Sequence, residues 1–192
     1  MRKNFKVNNL YKNLLLIIIF LILLKIFIRK TYYSFYPGIP LYPNNKNEIN
    51  DVKKYINSRN KNDIDFFYKT NKSIIPAFLK EVQEETYNDL NNKIINLIPI
   101  IIFLKYLFNR ARPEQIDNTI KPLNKDTAQT PAFPAGHAFQ AYYLSKYLSK
   151  KYPSKKKIFE NIAKECDLTR VKAGLHYPSD GEFSKKIVNL LF

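Results

Sequence analysis

Tryptophan is absent from the 192 residues, and methionine and cysteine occur once each. A single cysteine, Cys166, excludes an internal disulfide and any cysteine-based metal cluster. Its expected part is that of a small buried apolar residue without a chemical role. The four glycines build no Gly-rich phosphate loop, and zinc-finger spacing and a basic zipper are also missing. Acidic residues are scarce, 16 Asp+Glu against 32 Lys+Arg, which leaves a formal charge of +16. That excess favours anionic partners: phosphorylated substrates, lipid headgroups or nucleic acid. Without a recognition motif, no specific nucleic-acid binding is expected. Histidine occurs twice, at His137 in PAFPAGHAF and His176 in TRVKAGLHYPSD, each time beside glycine and proline. It is the side chain that changes charge near neutral pH, so two scarce copies outside any apolar stripe call for a chemical explanation.

What the chain does have is apolar mass. Hydrophobic residues make up 45%, with 14 Tyr and 14 Phe, enough for a core and against a disordered chain. Residues 14–28 read LLLIIIFLILLKIFI, too uniformly apolar for a one-faced surface helix. With Lys25 snorkelling from near one end, they form a short membrane span. Arg29, Lys30 and Thr31 offer no small-residue cleavage site, so the span is expected to stay as an anchor rather than leave as a signal peptide. Arg2, Lys3, Lys6 and Lys12 before it slightly outnumber Lys25, Arg29 and Lys30 after it. That excess places the remaining chain on the non-cytoplasmic side.

The organisation expected is a basic leader and anchor over 1–30, an extended connector over 31–46, and a helical domain over 47–192. The connector, YYSFYPGIPLYPNN, carries three prolines and a glycine. In the domain, Ile49, Val52, Tyr55 and Ile56 recur at helical spacing. Further helices are expected over 74–90, 94–108, 138–150, 155–167 and 180–190. The stretch IINLIPIIIFLKYLF over 94–108 is the most apolar of the interior. It is shorter than the ~20 apolar residues a span needs, and it holds Asn96, Pro99 and Lys105, so it reads as a central core helix. No alternating segment reads as a strand. The fold class is all-α, a helical bundle.

Three segments stand at helix ends. In KYLFNRARP, Lys105 is followed by Arg112 and Pro113, which ends the helix. In FPAGH, Gly136 and His137 open the next helix, whose N–H groups favour an anion. In TRVKAGLHYPSD, Arg170, His176 and Asp180 follow one another. Taken together they match K-x6-R-P, P-S-G-H and S-R-x5-H-x3-D in order and spacing. The second half of the chain, 105–180, therefore resembles the superfamily of type 2 phosphatidic acid phosphatases, bacterial non-specific acid phosphatases and vanadium-dependent haloperoxidases. Residues 1–90 carry none of the resemblance.

The resemblance implies a metal-independent phosphatase with no cofactor, in a bundle of that superfamily's type behind the anchor. Lys105, Arg112 and Arg170 would clamp the phosphoryl oxygens, with Gly136 admitting the backbone. His176 would attack phosphorus to give a phosphohistidine, and Asp180 would hold its other ring nitrogen. His137 would protonate the leaving alkoxide and then activate water. Two positions depart from the signature. Thr169 keeps the hydroxyl of the usual serine, whereas Ala135 removes one, a loss of about 1.5–3 kcal/mol for a hydrogen bond to a charged group. Arg110 and Lys172, close by, read as generic surface cations. The expected substrate is a phosphomonoester, foremost a lipid phosphate of the phosphatidic acid type, with the membrane reached through residues 14–28. Isoprenoid pyrophosphates, transfer to an acceptor other than water, vanadate-dependent halide oxidation, and a non-catalytic basic protein binding phosphate or anionic lipid are the alternatives.

Overall fold

The computed structural model describes residues 11–21, 32–36 and 38–192. The leader residues Arg2, Lys3 and Lys6, the anchor's residues 22–28, and Arg29 and Lys30 lie outside the described residues. Met1–Thr31 and Tyr32–Phe192 are two separate units. In the first, Tyr11–Leu21 forms helix α1, wholly apolar from Leu14 onward.

The second unit is helical among the described residues, apart from one isolated bridge between Tyr32 and Arg110. Helix α2 (Asn45–Asn57) begins where the Asn44 side chain accepts the Lys46 amide. Helix α3 (Lys61–Asn71) begins with a reciprocal capping box between Asn60 and Asp63. The helix expected over 74–90 is two helices, α4 (Ile75–Leu79) and α5 (Tyr87–Ile94). Thr86 and Asp89 make a second capping box, which starts a new helix instead of continuing the old one.

Helix α5 runs through a 3-10 turn (Ile95–Leu97) into α6 (Ile98–Phe108). Together Tyr87–Phe108 span 22 residues, long and apolar enough to cross a membrane, and 28% of the apolar window is buried. The expectation of a core helix is therefore met on one side only. Ile94, Leu97, Ile101, Lys105 and Phe108 are buried, at helical spacing, while Ile95, Ile98, Ile102, Phe103 and Tyr106 are exposed. The helix ends at Phe108, the expected end, without running on to Pro113. Asn109 adopts a left-handed φ of 47°, a conformation asparagine tolerates, and its amide closes on the Lys105 carbonyl. Pro113 does not end this helix; it opens the short α7 (Pro113–Ile116), a position suited to its missing N–H.

Helices α8 (Gly136–Lys151) and α9 (Lys156–Lys172) form a hairpin joined through a 3-10 turn at Pro153–Lys155. Phe139, Leu144 and Leu148 of α8 meet Phe159, Ile162, Ala163 and Cys166 of α9 in the main core, with Val188 from α10 (Pro178–Leu191). Helix α9 runs past the expected Asp167, so Arg170 lies in its last turn. Gly174, at φ +76°, then reverses the chain: its amide bonds the Val171 carbonyl, and the Leu175 amide bonds that of Arg170. That turn carries His176 back toward α9. Helices α2 and α3 both pack on α9, so residues 47–90 complete the bundle.

Candidate active site

His176 sits in the tight loop between α9 and α10, buried, with both ring nitrogens occupied. Nδ1 lies 2.9 Å from Asp180 Oδ2 and Nε2 lies 3.1 Å from the Arg112 guanidinium. A carboxylate accepts and a guanidinium donates, so Nδ1 carries the proton and Nε2 presents its lone pair. Burial first, and then the nearby Arg112 charge, push His176 down to about 3 against the pull of Asp180. The ring is therefore neutral at pH 7, with the basic nitrogen on the Arg112 side.

Asp180 lies in the first turn of α10 and is fully buried. Besides His176 it accepts the Tyr177 amide at 3.0 Å and Arg110 at 2.6 Å. Burial works against its charge, but Arg110, the imidazole N–H and the Tyr177 amide together hold it down to about 2. Arg110 is accordingly no surface cation. It is 0% exposed, donates to Glu48 at 2.6 Å, Ser179 at 2.7 Å and Asn45 at 2.8 Å, and stacks 3.8 Å from the Tyr177 ring centroid. Lys172 pairs with Asp63 at 2.7 Å and has no part in the clamp.

A cleft of about 190 Å³ opens beside His176. Lys105, Arg112, Gly136, His137 and His176 line it, with Ile98, Ile101, Ile102, Thr127, Thr130 and Gln140. Two of the three expected clamp cations thus stand on its wall. Lys105 is held by the carbonyl of Pro131 at 2.6 Å, and Arg112 by Thr130 and Leu175 carbonyls at 2.8–2.9 Å. Arg170 stands one layer back, donating to Asn71 and Thr127. Its Nε is buried without a partner among the described residues, and burial, then Arg112, bring it down to about 9. A larger cleft of about 440 Å³ between α8, α9 and α10 is lysine-rich and holds none of these residues.

Residues 92–185 match the family model described as the PAP2 superfamily. That stretch is a PAP2-superfamily domain. Five solved chains match the protein significantly, among them LpxE of Aquifex aeolicus. That structure agrees with a TM-score of 0.52 and 22% identity over 80% of this chain and 94% of its own, a likeness of fold. No curated protein sequence matches significantly.

In the PAP2 domain, Gly136 and His137 open α8 at the cleft wall, where first-turn N–H groups favour an anion. A Cβ at Gly136 would meet Ile101 at 3.4 Å and Lys105 at 3.6 Å, so glycine keeps the cleft open beside Lys105 rather than relieving a clash. His137 Nε2 lies 2.9 Å from the Asn71 carbonyl, and burial with Arg170 holds it well below its ordinary value. Ala135 is fully buried at the N-cap of α8, its amide on the Asp180 carbonyl. The Thr169 hydroxyl turns away from the cleft to the Asp63 carbonyl at 3.3 Å. Three further residues stand near the PAP2 centre: Arg110, which the sequence suggests is a surface cation, and Glu48 and Asn71, to which the motifs assign no part. The KYLFNRARP segment did hold a clue to the first, a second arginine two positions before the motif arginine. Glu48 and Asn71 come from α2 and α3, far from the motifs, and no spacing rule reaches them. Among the described residues no group of three or more His, Cys, Asp or Glu comes together in a way that holds a metal ion.

Proposed function

We propose that this PAP2-type phosphatase hydrolyses the phosphomonoester of a lipid through a phosphohistidine on His176. The observation that carries the reading is the Nε2 lone pair of a neutral, carboxylate-oriented imidazole, presented at a cleft walled by Lys105 and Arg112. In the first step Nε2 attacks phosphorus, and the bond to the leaving alkoxide breaks as His137 gives that oxygen a proton. Asp180 stabilises the charge that develops on the ring. Lys105, Arg112 and, behind them, Arg170 offset the negative charge spread over the phosphoryl oxygens. In the second step water attacks phosphorus and gives its proton to His137. The P–N bond breaks, phosphate leaves, and Nε2 regains its lone pair. His137 is neutral in the empty cleft, and a bound phosphate dianion raises it into its acid form.

The rim supports the lipid. Ile98 and Ile102 line the cleft and are 45% and 36% exposed, on the same exposed face as Ile95, Phe103 and Tyr106. A headgroup phosphate in the cleft leaves its acyl chains along this face, and the helix is long and apolar enough to lie in a bilayer. The test compares the full chain on phosphatidic acid in mixed micelles and on a soluble chromogenic phosphomonoester, with and without vanadate, beside His176→Asn. Preference for the lipid, inhibition by vanadate, and an acid-labile phosphoenzyme absent from His176→Asn are the expected results. A phosphoenzyme that survives in His176→Asn refutes the nucleophile, and equal use of both substrates refutes the lipid.

A further inference from the structure

We propose that Asn71 is a positioning residue that sets both His137 and Arg170 for the reaction, a role that rests on the phosphatase reading above. Asn71 ends α3, outside the PAP2 match and outside every motif, yet it is 6% exposed and joins four groups. Its main-chain carbonyl lies 2.9 Å from His137 Nε2. Its side-chain Oδ1 accepts from Arg170 at 3.1 Å and from the Thr127 hydroxyl at 3.0 Å, and its Nδ2 donates to Asn124 at 3.3 Å. Thr127 also accepts from the second Arg170 nitrogen at 3.0 Å and lines the cleft.

Two consequences follow from donor and acceptor chemistry alone. A carbonyl accepts only, so Nε2 of His137 carries a proton in both charge states of the ring. The proton exchanged with the leaving group and with water therefore moves on and off Nδ1. The carbonyl also favours the imidazolium, against burial and against the three cationic or titratable groups that face the ring. These are Arg170 from α9, His176 from the loop before α10, and Lys105 from α6. The side chain fixes where that carbonyl points, because Oδ1 is pinned from two sides by Arg170 and Thr127. One residue thus couples the proton carrier, through its backbone, to a phosphate cation, through its amide.

The experiment uses the full chain and three proteins: wild type, Asn71→Ala and Asn71→Asp. Turnover of a chromogenic phosphomonoester is followed from acid to alkaline pH, and imidazole 15N shifts identify the protonated nitrogen of His137. With two histidines in the chain, His176→Asn makes the assignment. Wild type is expected to show the Nε2–H tautomer at neutral pH. Asn71→Ala should lose about tenfold to a hundredfold in kcat, as for one hydrogen bond to a charged group. Its tautomers should mix, and the acid limb of its pH profile should move down. Asn71→Asp keeps the acceptor oxygen and should recover most of kcat, with the limb moved up. An Nδ1–H tautomer in wild type overturns the proposal, as does Asn71→Ala with kcat within twofold, or with an unmoved pH profile. If Asn71→Ala does not fold, an unmoved pH limb in Asn71→Asp overturns it equally. Wild type without turnover on any phosphomonoester, but with the Nε2–H tautomer lost in Asn71→Ala, overturns the phosphatase reading and leaves the positioning of His137 standing.

Discussion

Arg110→Lys keeps the charge at the deepest ion pair and removes its geometry. The guanidinium reaches Asp180 and Glu48, both at 2.6 Å, Ser179 at 2.7 Å and Asn45 at 2.8 Å, while its face lies on Tyr177. An ammonium has three donors on a flexible stem and no planar fork, so it cannot serve both carboxylates and Asn45 together. Loss of one hydrogen bond between charged groups is worth about 1.5–3 kcal/mol. If the bond lost is the one to Asp180, His176 is less firmly oriented and turnover falls by about tenfold to a hundredfold. Arg110→Ala is more severe, since it leaves Asp180 and Glu48 without their shared cation, a destabilisation of about 3–5 kcal/mol. The pH dependence has a sign. Asp180 titrates at about 2 in the folded protein against an ordinary 3.8, so its contribution to stability is present above 3.8 and lost as pH falls toward 2. With Arg110 weakened the folded value rises, and less of that contribution exists at any pH. Urea unfolding at pH 7 and at pH 4, together with kcat, measures both effects. If Arg110→Lys unfolds like wild type and turns over within twofold of it, then Tyr177 and His176 alone set Asp180, and the argument for Arg110 fails.

Asp167 is mostly buried, raised to about 7 chiefly by burial, and its Oδ1 has no partner among the described residues. A carboxyl raised on folding contributes stability below 3.8 that is lost as pH rises through 7. Asp167→Asn should therefore unfold at higher urea than wild type at pH 8, and the gap should close by pH 4. Ala135→Ser restores a hydroxyl at the α8 N-cap and should raise kcat, with about 0.5–2 kcal/mol of added stability from the cap; unchanged turnover removes the account of the missing hydroxyl. His137 and His176 both titrate below their ordinary value when folded, so stability present above about 6.5 should fall as the solution is acidified. His176→Asn should flatten that slope in a series of urea melts, and an equal slope in both proteins counts against a neutral buried His176.

The motif residues were legible in the sequence because each lies within a few residues of a helix end, where local spacing and spatial position coincide. His176 and Asp180 are the clearest case: the Gly174 turn and the first turn of α10 carry the four-residue spacing directly into a 2.9 Å contact. The all-helical class was legible for a similar reason, since apolar spacing in α2, α8 and α9 is local. Arg110 reads as a surface cation because its one local sign, a second arginine two positions before the motif arginine, says nothing of its burial. Its burial depends on Glu48, Tyr42 and Tyr177, which only the packed bundle brings around it. The stretch 94–108 reads as a central core helix because its outward face is as apolar as its inward one, and composition carries no direction. The break between α4 and α5 was missed although Thr86 and Asp89 announced it, because Glu81, Glu84 and Glu85 continue a plausible helical pattern across it.

The distribution of charge around the cleft argues that the site is built for an anion that brings its own counter-charge. Arg110 takes two carboxylates, the buried Asp180 and the partly buried Glu48. Lys105, Arg112 and Arg170 form no ion pair with any described carboxylate; their hydrogen bonds go to neutral carbonyl, amide and hydroxyl oxygens and, for Arg112, to His176 Nε2. Neutral acceptors orient a cation without neutralising it, so the field of all three remains available in the cleft. Burying uncompensated positive charge is unfavourable in the empty protein, and the lowered values of Arg112 and Arg170 are its signature. A phosphoryl group entering the cleft would relieve that unfavourable energy, its charge spread over three equatorial oxygens in the transition state. The same division explains why Arg110 and Arg112, two residues apart, are not interchangeable. In the proposed reaction the first is neutralised so that His176 is aimed, and the second is left charged to hold the phosphoryl group.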